Sequence, residues 1–250
     1  MSPYLSELIG TAILILLGNG VVANVLLSRT AGNQSGWIVI TAGWGLAVAL
    51  AVYSVGRIGG AHLNPAVTVG LASIGEFSWG LVPGYIACQL IGAIVGACLV
   101  WVTYYPHWNI TEEASLKRSC FCTAPAIRHK GANVITEIVG TAMLVFGVLA
   151  IGANASEVGG ESQVGDLASA FSSGFAPLLV GLLVFSIGLS LGGPTGYAIN
   201  PARDLGPRIA HAFLPIPGKG DSDWNYSWIP VVGPILGGVL GAVFFRIAGF

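Results

Sequence analysis

Apolar residues in this chain fall into runs too long for the helices of a soluble domain, and the pattern breaks twice at the same polar triplet. A bilayer core about 30 Å thick needs roughly 20 predominantly apolar residues per spanning helix. Six segments meet that length, near 4–28, 37–57, 80–103, 132–152, 173–190 and 228–248. After the second comes "GAHLNPAVTVG" (60–70), and after the fifth comes "TGYAINPARDLG" (195–206). Each triplet leads into a stretch of helical character, 66–75 and 202–213, that is too short to cross a membrane. These two stretches read as re-entrant half-helices.

Asparagine is a strong N-cap, and proline suits the first helical turn because its missing N–H has no partner there anyway. Asn64-Pro65-Ala66 and Asn200-Pro201-Ala202 are therefore helix starts. Non-helical backbone at membrane depth survives only where protein buries it or where it lines a water-filled cavity. The reading is a pore. Carbonyls of Gly60, Ala61 and His62 on one side, and of Gly196 and Ala198 on the other, form a ladder of acceptors. The two asparagine amides supply donors at its centre, beside two half-helix N-termini with partial positive charge.

Composition agrees with the pattern. Of 250 residues 54% are hydrophobic and only 8% charged, with a mean hydropathy of +0.79, which excludes an ordinary soluble domain. A net charge of −1 argues against a nucleic-acid partner. Many of the 37 glycines lie inside apolar runs such as "LIGAIVGA" and "ILGGVLGA", which points to close helix packing. The N-terminus has no basic flank and its first apolar run continues at spanning length, so the first span is expected to stay rather than be removed as a signal peptide. Cys88 and Cys98 fall in an apolar helix and read as packing. Cys120 and Cys122 share a long loop with His107 and His129, but the spacing fits no standard zinc pattern, so neither a metal nor another cofactor is expected.

The chain is also written twice. "SELIGTAIL" (6–14) returns as "TEIVGTAML" (136–144), and "QLIGAIVGA" (89–97) resembles "PILGGVLGA" (234–242). Each half runs span, span, Asn-Pro-Ala segment, span. Three spans per half invert the second copy relative to the first. The expected fold is an all-α membrane protein of six transmembrane helices and two half-helices in one channel domain, 1–250. Its parts are a first repeat (1–103), a connecting loop (104–131) and a second repeat (132–250).

With paired "NPA" and "NPAR" in an inverted repeat, the whole chain resembles the major intrinsic protein family, the aquaporins and glycerol facilitators. The resemblance implies a six-span pore in each chain of a homotetramer in the cell membrane, with both termini in the cytoplasm. "NPARD", with Asp204 after the arginine, is similar to the glycerol-conducting branch. Counting along the matched motifs places the selectivity filter at Trp44, Gly188, Tyr197 and Arg203. Arg203 offers fixed donors to hydroxyl oxygens, Trp44 and Tyr197 an apolar corner for carbon, and Gly188 room where histidine would narrow the path. Tyr197 departs from the phenylalanine expected of glycerol facilitators, and its hydroxyl is expected to narrow the corner and make it more polar. Glu7 and Glu137, ionisable groups inside spans, are implied to accept hydrogen bonds from the re-entrant loops, with Asp204 as further structural support. Proton exclusion by half-helix dipoles is a property of that channel class and comes with the resemblance.

The implied partners are glycerol or similar small neutral solutes, water and the lipid bilayer. A water-selective channel, or a facilitator of dihydroxyacetone, urea or undissociated lactic acid, is the near alternative. A coupled transporter also uses inverted repeats and broken helices, yet no further acid or base accompanies Glu7 and Glu137 along the path. An enzyme lacks a nucleophile and base to pair with His62. One conflict stands: Lys117, Arg118, Arg128 and Lys130 crowd the loop that the resemblance places outside, against the positive-inside rule.

Overall fold

A computed structural model describes residues 1–157 and 170–249. In chain order its helices are α1 (Pro3–Leu26), α2 (Trp37–Gly59), α3 (Pro65–Ser73), α4 (Val82–Thr103), α5 (His107–Ile110), α6 (Ala114–Ser119) and α7 (Lys130–Glu157). After a π-helical turn at Phe171–Phe175 come α8 (Ala176–Leu191), α9 (Pro201–Phe213) and α10 (Ile229–Ile247). No described residue is in a strand. Helices α1, α2, α4, α7, α10 and the segment Phe171–Leu191 are long and apolar enough to cross a bilayer, so the chain is a multi-pass membrane protein. Five of the six expected spans match to within about three residues at either end, while α7 runs on to Glu157. The part of the expected second repeat at 158–169 lies outside the described residues.

Local sequence sets the helix starts. Ser2 accepts a hydrogen bond from the Leu5 N–H (3.2 Å) at the head of α1, and proline stands in the first turns of α4, α8 and α10, where no donor is lost.

Packing between spans depends on glycine, because helices in lipid associate by close backbone approach rather than by hydrophobic drive. On α4, a Cβ at Gly96 would sit 2.6 Å from the Ala12 carbonyl oxygen of α1, and one at Gly92 would collide with the Leu8 carbonyl. Gly237 and Gly241 of α10 meet the Ile138 and Ala142 carbonyls of α7 in the same way. The two crossings use matched positions of the two sequence copies. Helices α2 and α8 pack glycine against glycine: a Cβ at Gly45 would lie 2.6 Å from the Gly181 oxygen, and one at Gly181 2.5 Å from the Gly45 oxygen.

Each half-helix rests on a span of the other half. Gly70 of α3 faces the Gly238 carbonyl of α10, and Gly206 of α9 faces Ala93 and the Leu90 carbonyl of α4. This exchange brings both Asn-Pro-Ala starts to the middle of the bundle.

Gly92→Ala is expected to destabilise the protein by about 1–3 kcal/mol, since a backbone carbonyl cannot move aside as a side chain can. Gly20→Ala, whose Cβ meets nothing within 4 Å, is the matched control. Thermal unfolding of the detergent-solubilised variants, followed by size-exclusion chromatography, separates the two.

Candidate pore and its constriction

The two segments leading into α3 and α9 hold the same unusual backbone. Gly60, Ala61 and Leu63 have φ of +78°, +49° and +53°; Gly196, Tyr197 and Ile199 have +76°, +38° and +43°. Only Gly60 and Gly196 adopt this region freely. The other four residues are strained by about 1–3 kcal/mol each and persist only if their surroundings over-determine them.

Two buried carboxylates supply most of that determination. Glu7 of α1 accepts from the His62 N–H at Oε1 (2.8 Å) and from the Leu63 N–H at Oε2 (2.7 Å). Glu137 of α7 accepts from the Ala198 N–H at Oε1 (3.0 Å) and the Ile199 N–H at Oε2 (2.8 Å). Gln89 of α4 donates both to Glu7 Oε2 (2.7 Å) and to Thr68 Oγ1 (3.0 Å). Without these acceptors four amide hydrogens would be stranded in a bilayer core.

The asparagines then tie the segments to each other. Asn64 Nδ2 donates to the Ile199 carbonyl and Asn200 Nδ2 to the Leu63 carbonyl, both at 2.8 Å. Each side-chain oxygen caps its own helix, Asn64 Oδ1 accepting from Ala66 N–H (2.8 Å) and Asn200 Oδ1 from Ala202 N–H (3.0 Å) and Arg203 N–H (3.2 Å). One amide hydrogen of each asparagine is thereby used, and one is left.

A cavity of about 280 Å³ runs past both starts, lined by Gly60, Ala61, His62, Asn64, Ala198 and Asn200 among others. Trp44, Tyr197 and Arg203 also line it. The Arg203 guanidinium lies 4.0 Å from the centre of the Trp44 ring, a cation–π distance, and its buried Nη1 has no protein partner. His62 packs its ring edge-on against Phe77 (4.6 Å), with Nδ1 3.1 Å from Thr68 Oγ1.

Two expected site residues stand elsewhere. Gly196 is absent from the cavity wall, a Cβ there facing Thr123 at 3.4 Å. Gly188 is absent as well, because the Tyr197 ring covers it: a Cβ at Gly188 would lie 2.8 Å from Tyr197 Cζ and 2.9 Å from Oη. The Tyr197 hydroxyl corrects an expectation. It is buried without a hydrogen-bond partner against α8, in the slot that glycine leaves, and does not project into the path.

The sequence reading named Asp204 as structural support but overlooked the partners with which it braces α9. Asp204 accepts from the Thr123 N–H and Oγ1 (2.7 Å each) and pairs with Arg208 one turn on (2.8 Å), with both charged side chains wholly buried. Arg208 also donates to the carbonyls of Ser222 (2.6 Å), Asp223 (3.1 Å) and Thr123 (2.9 Å). Lys219 Nζ caps the end of α9 by donating to the His211, Ala212 and Leu214 carbonyls at 2.6–2.7 Å. The readable signal was the i,i+4 spacing of opposite charges in "RDLGPR".

Cys120 and Cys122 are buried in the same region, and their S–H groups face the Leu116 and Arg118 carbonyls. Burial pushes the Cys122 thiol up to about 12, so it stays protonated and a poor metal ligand. Among the described residues no group of three His, Cys, Asp or Glu side chains is placed to hold a metal.

Six spans, two half-helices meeting at their N-termini and a polar-centred cavity between them define a membrane channel. Residues 1–245 match the family model described as Major intrinsic protein, and the chain belongs to that family. It is 62% identical, over 98% of its length and 99% of the relative's, to the probable glycerol uptake facilitator protein of Thermotoga maritima. It is 55% identical to the glycerol uptake facilitator protein of Bacillus subtilis, over 99% of its length and 85% of the relative's. Among solved structures, the X-ray structure of the aquaglyceroporin from Plasmodium falciparum is similar with a TM-score of 0.79 at 30% identity, covering 97% of this chain and 93% of the other.

Glu137→Gln turns one acceptor oxygen into a donor facing an N–H. It is expected to lose about 2–4 kcal/mol of stability, read as a lowered thermal midpoint in detergent.

A pH effect follows from the loops that connect the helices. Arg128 grips Asp223 (3.1 and 2.6 Å), and that bond holds the Asp223 carboxyl below its ordinary value of 3.8. The contribution is complete above that ordinary value and disappears as pH falls through the lowered folded one. As pH falls below about 4 the melting midpoint of Arg128→Gln should therefore fall less than that of the wild type.

Proposed function

We propose that the chain is a passive channel for glycerol and related small neutral solutes, also passing water and excluding protons and ions. The observation that carries this reading is the constriction: an arginine with an unpartnered guanidinium nitrogen, stacked on one aromatic and sharing a cavity wall with a second. A polyol has a hydroxylated edge and a hydrocarbon edge. Arg203 serves the first with donors of fixed geometry, and Trp44 with Tyr197 serves the second. Gly188 acts by seating the Tyr197 ring.

Beyond the constriction, carbonyls of Gly60, Ala61, His62 and Ala198 accept hydrogen bonds from the passing solute, and the remaining hydrogen of each central asparagine amide donates. Gly196 contributes conformation rather than a wall. Glu7, Glu137 and Asp204 hold the loops and take no part in transport. Proton exclusion rests on the two half-helix N-termini and Arg203, which together raise a positive barrier. The repeats 1–103 and 132–250 contribute one half-helix each around the loop 104–131. The proposal includes a homotetramer with one pore per subunit and both termini in the cytoplasm. Membership of the family and the names of the relatives support glycerol as the solute.

Stopped-flow light scattering on reconstituted vesicles tests the reading with water, glycerol, dihydroxyacetone, urea and lactic acid. Gly188→His displaces the Tyr197 ring into the path, so glycerol permeability should fall by about tenfold or more with water less affected. Arg203→Val should retain solute flux and dissipate an imposed pH gradient that the wild type holds. Accumulation of glycerol against its gradient, driven by protons or sodium, would refute a passive channel.

A further inference from the structure

Both aromatic rings of the constriction lie on glycine. A Cβ at Gly18 of α1 would come within 2.5 Å of Trp44 Cη2 and collide with the neighbouring ring carbons. At Gly192, just past the end of α8, a Cβ would lie 2.5 Å from the Gly188 carbonyl oxygen, 2.6 Å from Tyr197 Cδ1 and 2.9 Å from Trp37 Cζ2. Trp37, at the start of α2, closes this second seat. Its Nε1–H donates to the Gly188 carbonyl (3.0 Å), and its ring meets the Tyr197 ring edge-on at 5.7 Å. None of these three residues is in the cavity wall, yet each touches one that is.

We propose that the bore of the constriction is set from behind by Gly18, Gly192 and Trp37, which fix how far the Trp44 and Tyr197 rings project and so select among small solutes by width. The inference rests on the proposed filter and adds three positioning residues to it. Ordinary contact with a Cβ begins at 3.4 Å, so a methyl at Gly18 drives the indole roughly 1 Å away from α1 in a packed interior. That movement carries the ring toward Arg203 and the cavity it lines. A methyl at Gly192 pushes Tyr197 likewise. Both positions have a backbone that alanine can adopt, since Gly192 has φ −78° and Gly18 lies within α1; at Gly18 the methyl meets the Trp44 ring, while at Gly192 it meets the Gly188 carbonyl oxygen that Trp37 bonds as well as the Tyr197 ring. In a single-file path a shift of this size discriminates by solute width, closing to a polyol before it closes to water.

The test uses the full chain in phosphatidylethanolamine–phosphatidylglycerol vesicles, with water and glycerol permeability measured per protein incorporated. Gly18→Ala and Gly192→Ala should each lower the glycerol-to-water ratio by about fivefold or more. Gly20→Ala and Gly193→Ala, where a Cβ meets nothing within 4 Å, should leave it within about twofold of wild type. Trp44→Phe provides the rescue: the smaller ring clears the methyl, so Gly18→Ala in that background should change the ratio by less than about twofold. Should an alanine variant fail to incorporate, Trp37→Phe, which removes the bond to Gly188 and leaves room behind the Tyr197 ring, should raise the ratio instead. A ratio within about twofold of wild type in both seat variants, or the same loss from Gly18→Ala with and without Trp44→Phe, overturns the inference. If Trp44→Phe and Gly188→His also leave both permeabilities unchanged, the filter reading itself has failed. If they change the ratio and the seat variants do not, the filter stands without its seats.

Discussion

The fold depends on a problem of backbone chemistry: two stretches of non-helical chain lie at membrane depth, where each unpartnered N–H costs several kcal/mol. Glu7 and Glu137 solve it from outside the stretches, each taking two consecutive amide hydrogens. A carboxylate is well suited because it only accepts and has two oxygens at a fixed spacing. Once those amides are held, the left-handed residues around them are locked, and each asparagine comes within reach of the opposite segment's backbone. An ionisable group in a span is thus structural in this chain, and its burial follows from what it holds.

A second layer of constraint surrounds the path. Helix pairs cross at glycines, and these crossings place α3 against α10 and α9 against α4. On the loop-rich face, two of the connecting loop's cationic side chains are bonded into the fold. Lys117 donates to the Pro217 carbonyl, and Arg128 binds Asp223 and lies 5.7 Å from the Tyr226 ring centre. Lys117 and Arg128 therefore weigh less in a positive-inside count than free loop charge would. The rule describes free loop charge near a membrane, and these two side chains are paired.

What the sequence made legible follows physical regularity. Span length is imposed by the bilayer, so six runs were readable to within a few residues at most ends, and Asn-Pro has so few roles in a membrane that the starts of α3 and α9 were fixed. Glu7 and Glu137 were found because the repeat set them in register. The short helices α5 and α6 and the π-helical turn at Phe171–Phe175 were not, since their residues carry neither amphipathic period nor capping signal. Tyr197 shows another limit. Its identity was plain, but the direction of its hydroxyl is decided by how the chain turns back over Gly188 and Gly192 at the end of α8, and that turn is not encoded by a periodic pattern. Lys219 was overlooked because capping from a following loop depends on how the loop returns.

The reciprocal pair Asn64 to Ile199 and Asn200 to Leu63 has a consequence for biogenesis. When synthesis has delivered only the first three spans, the first re-entrant segment has its carboxylate and its helix cap, but the partner carbonyl and the partner amide are about 135 residues away in chain not yet made. Its half-helix also lacks the span on which it rests, since α10 emerges last. Such a half-molecule must wait in an open or hydrated form, and the centre closes only when the second copy arrives. Maturation of the pore is then a single late event in the life of the chain, and two separately produced halves meeting in one membrane would complete each other by the same bonds.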